Sequence, residues 1–184
     1  VVDTAESKDN INKAYNLIGT SKVRNEMIID DVITCVARKQ TPVILTRFKE
    51  HAKFLHDALK KKADHVFLLY GDNSDKENAE IRVKLKQIPE NESLILVATG
   101  QKIGEGFDFP RLDVLMLAAP VSFEGRLEQY VGRLNRDYVG KEAVYVYDYI
   151  DSHVRYFDKM YAKRLRTYRK MGFSIWTQEL QPKQ

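Results

Sequence analysis

The chain has 184 residues, of which 43% are hydrophobic and 30% charged, a globular composition that excludes disorder, collagen and coiled coil. Its single cysteine, Cys35, excludes an internal disulfide framework and indicates a reducing compartment, so we expect a cytoplasmic protein. The net charge of +4 is mild, but residues 151–184 carry eight Lys and Arg against three Asp and Glu. This C-terminal excess favours an anionic partner, of which nucleic acid is the commonest.

The apolar runs are far too short to span a membrane, and no N-terminal signal pattern is present, so we expect no membrane association. Residues 1–20 are polar and poorly periodic, and the first residue is Val1 rather than Met. We therefore expect residues 1–20 to be a lead-in from a preceding domain of a longer protein, residues 21–173 to form one domain, and residues 174–184 to be a tail. Trp176 is expected either to anchor this tail or to pack on a further domain.

The first predicted element of the domain is a helix that Ser21 caps and that runs to about Lys39. Its expected inner face consists of Val23, Ile29, Val32, Ile33 and Val36. Apolar runs then predict strands at 42–46, 65–70, 93–99, 113–119 and 143–149. Helical patterns alternate with them: a stripe of Phe48, Ala52, Leu55 and Leu59, a helix that the Ser74 and Glu77 capping box begins, and helices at 124–134 and 152–171.

The strands are apolar throughout, which is typical of strands that helices cover on both faces. The sequence therefore predicts an α/β fold: an open, three-layer, mainly parallel sheet of about five to six strands. In such sheets ligands bind at the carboxyl ends of the strands.

The loop after the third predicted strand is rich in glycine, with Gly100, Gly104 and Gly106 in seven positions. Backbone N–H groups of such a loop can hold a phosphate, and Asp108 behind it could accept a bond from a ribose hydroxyl or an arginine. The other interpretation is a flexible loop with a solvated carboxylate. No phosphate loop of the Gly-Lys-Ser/Thr type occurs anywhere in the chain.

The helix after the fourth predicted strand carries Gln129, Gly132, Arg133 and Arg136 at i, i+3, i+4 and i+7, so these residues share one face. Arginine suits phosphate because its charge is permanent and its binding bidentate. The alternative is a solvated face, with Tyr130, Val131 and Leu134 turned inward.

Together these two segments resemble motifs V and VI of the second RecA-like domain of superfamily-two helicases and translocases. Thr99-Gly100 through Gly106-Phe107-Asp108 resembles motif V, and Gln129-x-x-Gly132-Arg133-x-x-Arg136 resembles motif VI. The segment 42–47 is similar to motif IV. The Gly-Glu-Gly-Phe-Asp core at 104–108 and the strand end at 147–151 resemble bacterial helicases of the restriction and DNA-repair type. The DEAD-box branch has Arg in place of Glu105 and His in place of Gln129.

The resemblance implies a domain that closes with an N-terminal RecA-like domain of the same protein around ATP and Mg²⁺, which that partner domain mainly holds. Arg136 is the expected arginine finger, with Arg133 beside it, and both are the expected catalytic residues. The expected nucleotide-binding residues are Gly106, Asp108, Gln129, Arg133 and Arg136. The resemblance implies that the longer protein is an ATP-dependent helicase or translocase, and this chain alone is expected to be inactive.

The resemblance also implies sequence-independent binding of DNA, with RNA as a possible alternative, through the sugar-phosphate backbone. The expected contacts are Thr46, Arg47, Gly71, Thr99, Gly100 and Lys102. A different hypothesis stays open, in which the chain is a nucleic-acid-binding or protein-interaction module without ATP-coupled activity. A third hypothesis is an unrelated doubly wound nucleotide-binding protein, but the loop after Thr46 lacks the glycines that it would need.

The last predicted helix carries a cationic stripe of Arg155, Lys159, Lys163, Arg166 and Lys170. It is either a solvated face or an added surface that follows the phosphates. His51, His56, His65, His153 and Cys35 have no metal-ligand spacing, so we predict no metal site, and we expect Cys35 in the core. We interpret Asp148 and Asp151 as a strand-end turn and a helix cap.

Overall fold

The computed structural model describes residues 8–100, 108–121, 124–134, 141 and 143–178. Six helices and five strands are present in this part of the chain. The helices are α1 (Lys8–Thr20), α2 (Lys22–Ala37), α3 (Lys49–Leu59), α4 (Asp75–Gln87), α5 (Glu124–Leu134) and α6 (Arg155–Lys170). The strands are β1 (Pro42–Thr46), β2 (His65–Leu69), β3 (Leu94–Thr99), β4 (Val114–Leu117) and β5 (Tyr145–Asp148).

The five strands form one sheet in the order β2-β3-β1-β4-β5, and every neighbouring pair is parallel. Strands β1, β3 and β4 are buried along their whole length. The outer strands β2 and β5 are mostly half-buried, because each has a neighbour on one side only. The predicted open parallel α/β sheet is confirmed.

Alternate residues of the central strands pack into two separate apolar clusters, as the two-residue period of a strand requires. One cluster joins Val43, Leu45, Leu96 and Leu117 to α4, α5 and α6. The other joins Ile44, Ile95, Val97 and Met116 to α2 and α3, and it includes Cys35 as expected. Helices therefore cover both faces of the sheet, which confirms the three layers.

Helix α2 begins where the sequence predicts, because the Ser21 hydroxyl accepts a bond from the Arg24 N–H. Its predicted inner face is wrong in part, since Val23 and Ile33 are exposed. The residues that face inward are Arg24, Asn25, Ile28, Val32 and Cys35. The buried face of α2 therefore differs from the predicted one. Two polar side chains, Arg24 and Asn25, have buried hydrogen-bond partners, which a hydrophobicity pattern does not register.

Helix α1 is not predicted by the sequence pattern, because only Tyr15 and Ile18 of this polar segment are buried apolar residues. They pack in a third apolar cluster with Ala119, Phe157 and Met160. This cluster joins α1 to α6 beside the segment that follows β4. Helix α4 begins with the predicted capping box of Ser74 and Glu77, whereas Trp176 beyond α6 is 93% exposed and does not anchor the tail.

Candidate functional site

Three neighbouring strands bring together, at their carboxyl ends, most of the residues predicted to contact nucleic acid. Thr46 ends β1 and Thr99 ends β3, and the two are paired in register across the parallel strands. Gly100 follows β3 directly, and Gly71 lies in the turn after β2, the other neighbour of β3. The order β2-β3-β1 therefore aligns these loops along the edge where open parallel sheets bind ligands.

Basic side chains are exposed along this edge. The Arg47 guanidinium lies 4.3 Å from the centroid of the Tyr15 ring, a cation–π arrangement that leaves Arg47 open to solvent. The Lys49 Nζ donates to Asp72 Oδ1 at 2.9 Å, and this bond raises the pKa of Lys49. The pair joins the start of α3 to the turn that contains Gly71, so two of the predicted contact loops are tied to each other.

Behind this edge lies a buried chain of hydrogen bonds that sequence reasoning missed. The Thr46 hydroxyl and His51 Nδ1 are 2.6 Å apart, and His51 Nε2 lies 2.8 Å from Asn25 Oδ1. The Asn25 amide nitrogen donates to the Gly19 carbonyl at 2.8 Å. Burial lowers the pKa of His51 to about 4, with the nearby Arg24 charge as a smaller cause, so the imidazole is neutral near pH 7.

The bond directions in this chain follow from the donor inventory. An amide oxygen only accepts, so His51 Nε2 carries the ring proton and Nδ1 is the acceptor. The Thr46 hydroxyl must then donate to Nδ1 and has no second proton for a phosphate. Thr46 itself is 5% exposed. In this arrangement Arg47 is an exposed side-chain donor at this edge, whereas the Thr46 hydroxyl is not.

Helix α5 carries the described part of the segment that resembles motif VI. Its inward side chains are Leu127, Tyr130, Val131 and Leu134, whereas Gln129 and Gly132 are exposed on the opposite face. A Cβ placed at Gly132 would meet no atom of the described residues within 4 Å, so these residues leave this face open to an approaching group. The Tyr130 hydroxyl donates to the Gly100 carbonyl at 2.9 Å. This bond fixes α5 against the loop after β3, so the two motif-like segments are neighbours in the fold.

The remaining predicted residues are described in part or not at all. Asp108 is exposed, directly before the buried Phe109. The backbone of Arg133 belongs to α5, but its side chain lies outside the described residues, as do Lys102, Gly106 and Arg136. Their assignments remain predictions from the sequence.

Asp148 ends β5 as predicted, but the prediction that Asp151 caps a helix is wrong, because α6 has Val154 as its N-cap and no side-chain cap bond. Asp148 accepts bonds from Arg164 at 2.7 and 2.8 Å and from the Tyr168 hydroxyl at 2.7 Å. Asp151 accepts two bonds of 2.9 Å from Arg24. Both pairs join residues that are distant in sequence and almost fully buried, so no local pattern indicates them.

Two kinds of feature are absent from the described residues. No group of three or more His, Cys, Asp and Glu side chains among them is arranged to hold a metal ion. None of the described helices has the length and apolar character needed to cross a membrane.

The parallel five-stranded sheet between two helical layers has the RecA-like α/β fold of helicase domains. The structure of T4 UvsW superposes with a TM-score of 0.69 at 22% identity, covering 91% of this chain and 36% of that one. The C-terminal domain of the DEAD-box protein Dbp5 superposes with a TM-score of 0.56 at 14% identity, covering 79% and 78%. Domain 2 of the DEAD-box protein Mss116p, solved bound to an RNA duplex, gives 0.54 at 21% identity, covering 67% and 48%.

Residues 24–137 match the model of the helicase conserved C-terminal domain, and the chain belongs to this family. Among curated relatives, transcript termination protein A18 of Yaba-like disease virus is 31% identical over 120 residues, which are 64% of this chain and 24% of that protein. Putative helicase 161L of Invertebrate iridescent virus 6 is 34% identical over 118 residues, 63% and 22% of the two chains. The alignments thus span about a quarter of the length of these relatives.

Proposed function

We propose that the chain is the C-terminal motor domain of an ATP-dependent nucleic-acid helicase or translocase. The match of residues 24–137 to the helicase C-terminal domain family carries this proposal, because it includes both motif-like segments. Its partner would be an N-terminal RecA-like domain of the same protein. We propose the restriction and repair branch from the residue pattern at 104–108 and 147–151. We propose a cytoplasmic location from the single cysteine.

The nucleotide would be contacted by Gly106, Asp108, Gln129, Arg133 and Arg136, with Mg²⁺ held mainly by the partner domain. When bound, ATP supplies the phosphoanhydride bond whose hydrolysis drives the motor. The exposed Gln129 and the open face at Gly132 fit an approaching triphosphate. By their spacing in the sequence, Arg133 and Arg136 would follow on the same helical face, where two permanent cations would stabilise negative charge that develops on phosphoryl oxygens.

The nucleic-acid backbone would contact the carboxyl edge of β2, β3 and β1. Its donors would be Arg47, Lys102 and the loop N–H groups near Gly71 and Gly100, with Thr99 beside them. Thr46 would contribute its backbone rather than its hydroxyl, because His51 accepts the hydroxyl proton. Contacts of this kind carry no base information, so binding would be independent of sequence. DNA is the proposed track, and RNA is the other polymer to test.

The cationic stripe of α6 would add a second, weaker backbone contact. All five of its residues, Arg155, Lys159, Lys163, Arg166 and Lys170, are exposed. Lys170 contacts Glu128 at 3.4 Å, so the stripe is partly neutralised at its C-terminal end. Binding through such a surface weakens steeply with added salt, because it releases counterions.

The test is ATP hydrolysis by the full-length protein that contains this chain, with and without single- and double-stranded DNA and RNA. Arg136→Ala is expected to lower stimulated hydrolysis by about 10³-fold or more while nucleic-acid binding persists. Arg38→Ala is the matched control, because Arg38 is exposed and precedes β1, near the amino ends of the strands and away from the predicted site. Undiminished hydrolysis in the Arg136 variant would remove this residue from the proposed role. If the wild type hydrolyses no ATP under any condition, the binding module without ATP-coupled activity is the better description.

A further inference from the structure

The segment between β4 and α5 is held by three buried side chains from three different helices. Its carbonyl groups at Ala118, Pro120 and Val121 accept hydrogen bonds, respectively, from Arg24 of α2, Tyr15 of α1 and Arg164 of α6. The bond to Pro120 is 3.0 Å long, and the bond to Val121 is 3.2 Å. We call these three donors the clamp. The clamped carbonyls lie only a few positions before α5, which begins at Glu124.

Two of the three donors are themselves fixed by carboxylates. Arg24 forms a two-bond pair with Asp151, and Arg164 forms one with Asp148. The side chains of both arginines are less than a tenth exposed. Bidentate pairs of this kind have one geometry, so these two donors are rigid. Tyr15 differs, because its hydroxyl interacts with the cationic Arg47 and not with a carboxylate of the described residues.

Tyr15 contacts the predicted nucleic-acid edge with one part of its side chain and the clamped segment with another. Its ring lies under the exposed Arg47 and packs edge-on against Phe157, with ring centroids 4.8 Å apart. Its hydroxyl donates to the Pro120 carbonyl and also contacts the Met160 sulfur at 3.7 Å. Burial raises the pKa of Tyr15, so the hydroxyl keeps its proton for this bond.

We propose that Tyr15 is a positioning residue that couples occupation of Arg47 by a nucleic-acid phosphate to the placement of α5. A phosphate bound to Arg47 changes the cation–π attraction between the guanidinium and the Tyr15 ring. The Tyr15 hydroxyl, which donates to the Pro120 carbonyl, transmits this change to the clamped segment. The inference rests on the proposed function, because it assigns a purpose to the two sites that the function requires. It also gives a role to α1, since Tyr15 lies outside residues 24–137 that match the family.

The test compares Tyr15→Phe with the wild type in the full-length protein. This change keeps the ring beneath Arg47 and against Phe157 and removes the hydroxyl with its contacts to Pro120, Met160 and Arg47. Tyr149→Phe is the matched control, because it also removes a buried hydroxyl, which donates to Asp31 at 2.8 Å rather than to the clamped segment, and it keeps the ring beneath Arg24. We expect Tyr15→Phe to lower the stimulation of ATP hydrolysis by single-stranded DNA about fivefold or more. Hydrolysis without DNA and the Kd for DNA should change less than about twofold.

A second readout needs neither ATP nor turnover. In the wild type, binding of single-stranded DNA should change the amide hydrogen exchange of peptides covering residues 118–134, and in Tyr15→Phe this change should disappear. In an Arg47→Ala background, Tyr15→Phe should have no additional effect, as expected for two residues that act as a unit.

Full stimulation and an unchanged exchange response in Tyr15→Phe would overturn the inference while leaving the proposed function intact. An equal loss in Tyr15→Phe and Tyr149→Phe would also overturn it, because the effect would then be one of general stability. A wild type that hydrolyses no ATP with any polymer would instead refute the proposed function. The exchange experiment would still decide whether Tyr15 connects Arg47 to α5.

Discussion

His51 should make the stability of the domain depend on pH in a way that can be calculated. The imidazole is buried and neutral, and its pKa falls from the ordinary 6.5 to about 4, chiefly through burial. Between these two values the unfolded chain binds a proton that the folded chain does not, so stability must fall as the pH drops. Above pH 6.5 the stabilisation is fully present. A difference of one pKa unit is worth about 1.4 kcal/mol, so the free energy of unfolding should fall by about 3 kcal/mol between pH 6.5 and pH 4.

The assay is urea unfolding, followed by circular dichroism, at a series of pH values from 7 to 4 for the wild type and for His51→Gln. Glutamine can occupy the site without titrating, so the free energies of unfolding of the two proteins should converge by about 3 kcal/mol as the pH is lowered. Thr46→Val is the control, because it removes a hydrogen-bond partner but leaves the imidazole buried. It should therefore retain the pH dependence of the wild type. If the free energies of unfolding of the wild type and His51→Gln change in parallel with pH, the predicted role of His51 is refuted.

The other predictions concern single side chains. Asp148→Ala should destabilise the domain by about 3–5 kcal/mol in urea unfolding, because it leaves the Arg164 charge buried without its carboxylate. Asp72→Ala, which breaks an ion pair that is half exposed to solvent, should leave the midpoint unchanged within error and serves as the comparison. Gly132→Ala should stabilise α5 by about 0.5 kcal/mol, since no atom of the described residues lies within 4 Å of the new Cβ, but should slow ATP hydrolysis if a phosphate approaches there. Lys163→Glu should reduce the salt dependence of DNA binding by about one counterion, and an unchanged slope would assign the α6 stripe to solvent.

The sequence was sufficient to predict the layers of the fold because its strands are apolar throughout and its helices have readable caps. The Ser74 and Glu77 box forms as predicted, and Ser21 begins α2. The pattern failed where burial is polar. Arg24 and Asn25 face inward on α2, and hydrophobicity counts such residues as exposed. It also failed for α1, in which two buried apolar residues are too few to establish a helical period.

The candidate site divides in the same way. Thr46 and Thr99 lie at strand ends, and Gln129 lies on an exposed helix face. The spacing of the sequence was sufficient to locate them, because a parallel sheet brings the loops after its strands together. The residues that hold those elements could not be found. Tyr15 and Pro120 are 105 positions apart, and Arg24 and Asp151 are 127 apart. Only the folded chain shows that they are neighbours.

The exposure of Trp176 has a practical consequence for spectroscopy. It is the only tryptophan of the chain, and it is almost fully exposed to solvent. Its fluorescence emission should therefore resemble that of free indole in both native and urea-denatured protein, and it would not register cooperative melting of the sheet. The same isolation makes Trp176 a built-in reporter, because a blue shift or quenching of its emission would signal that another surface has covered the segment beyond α6.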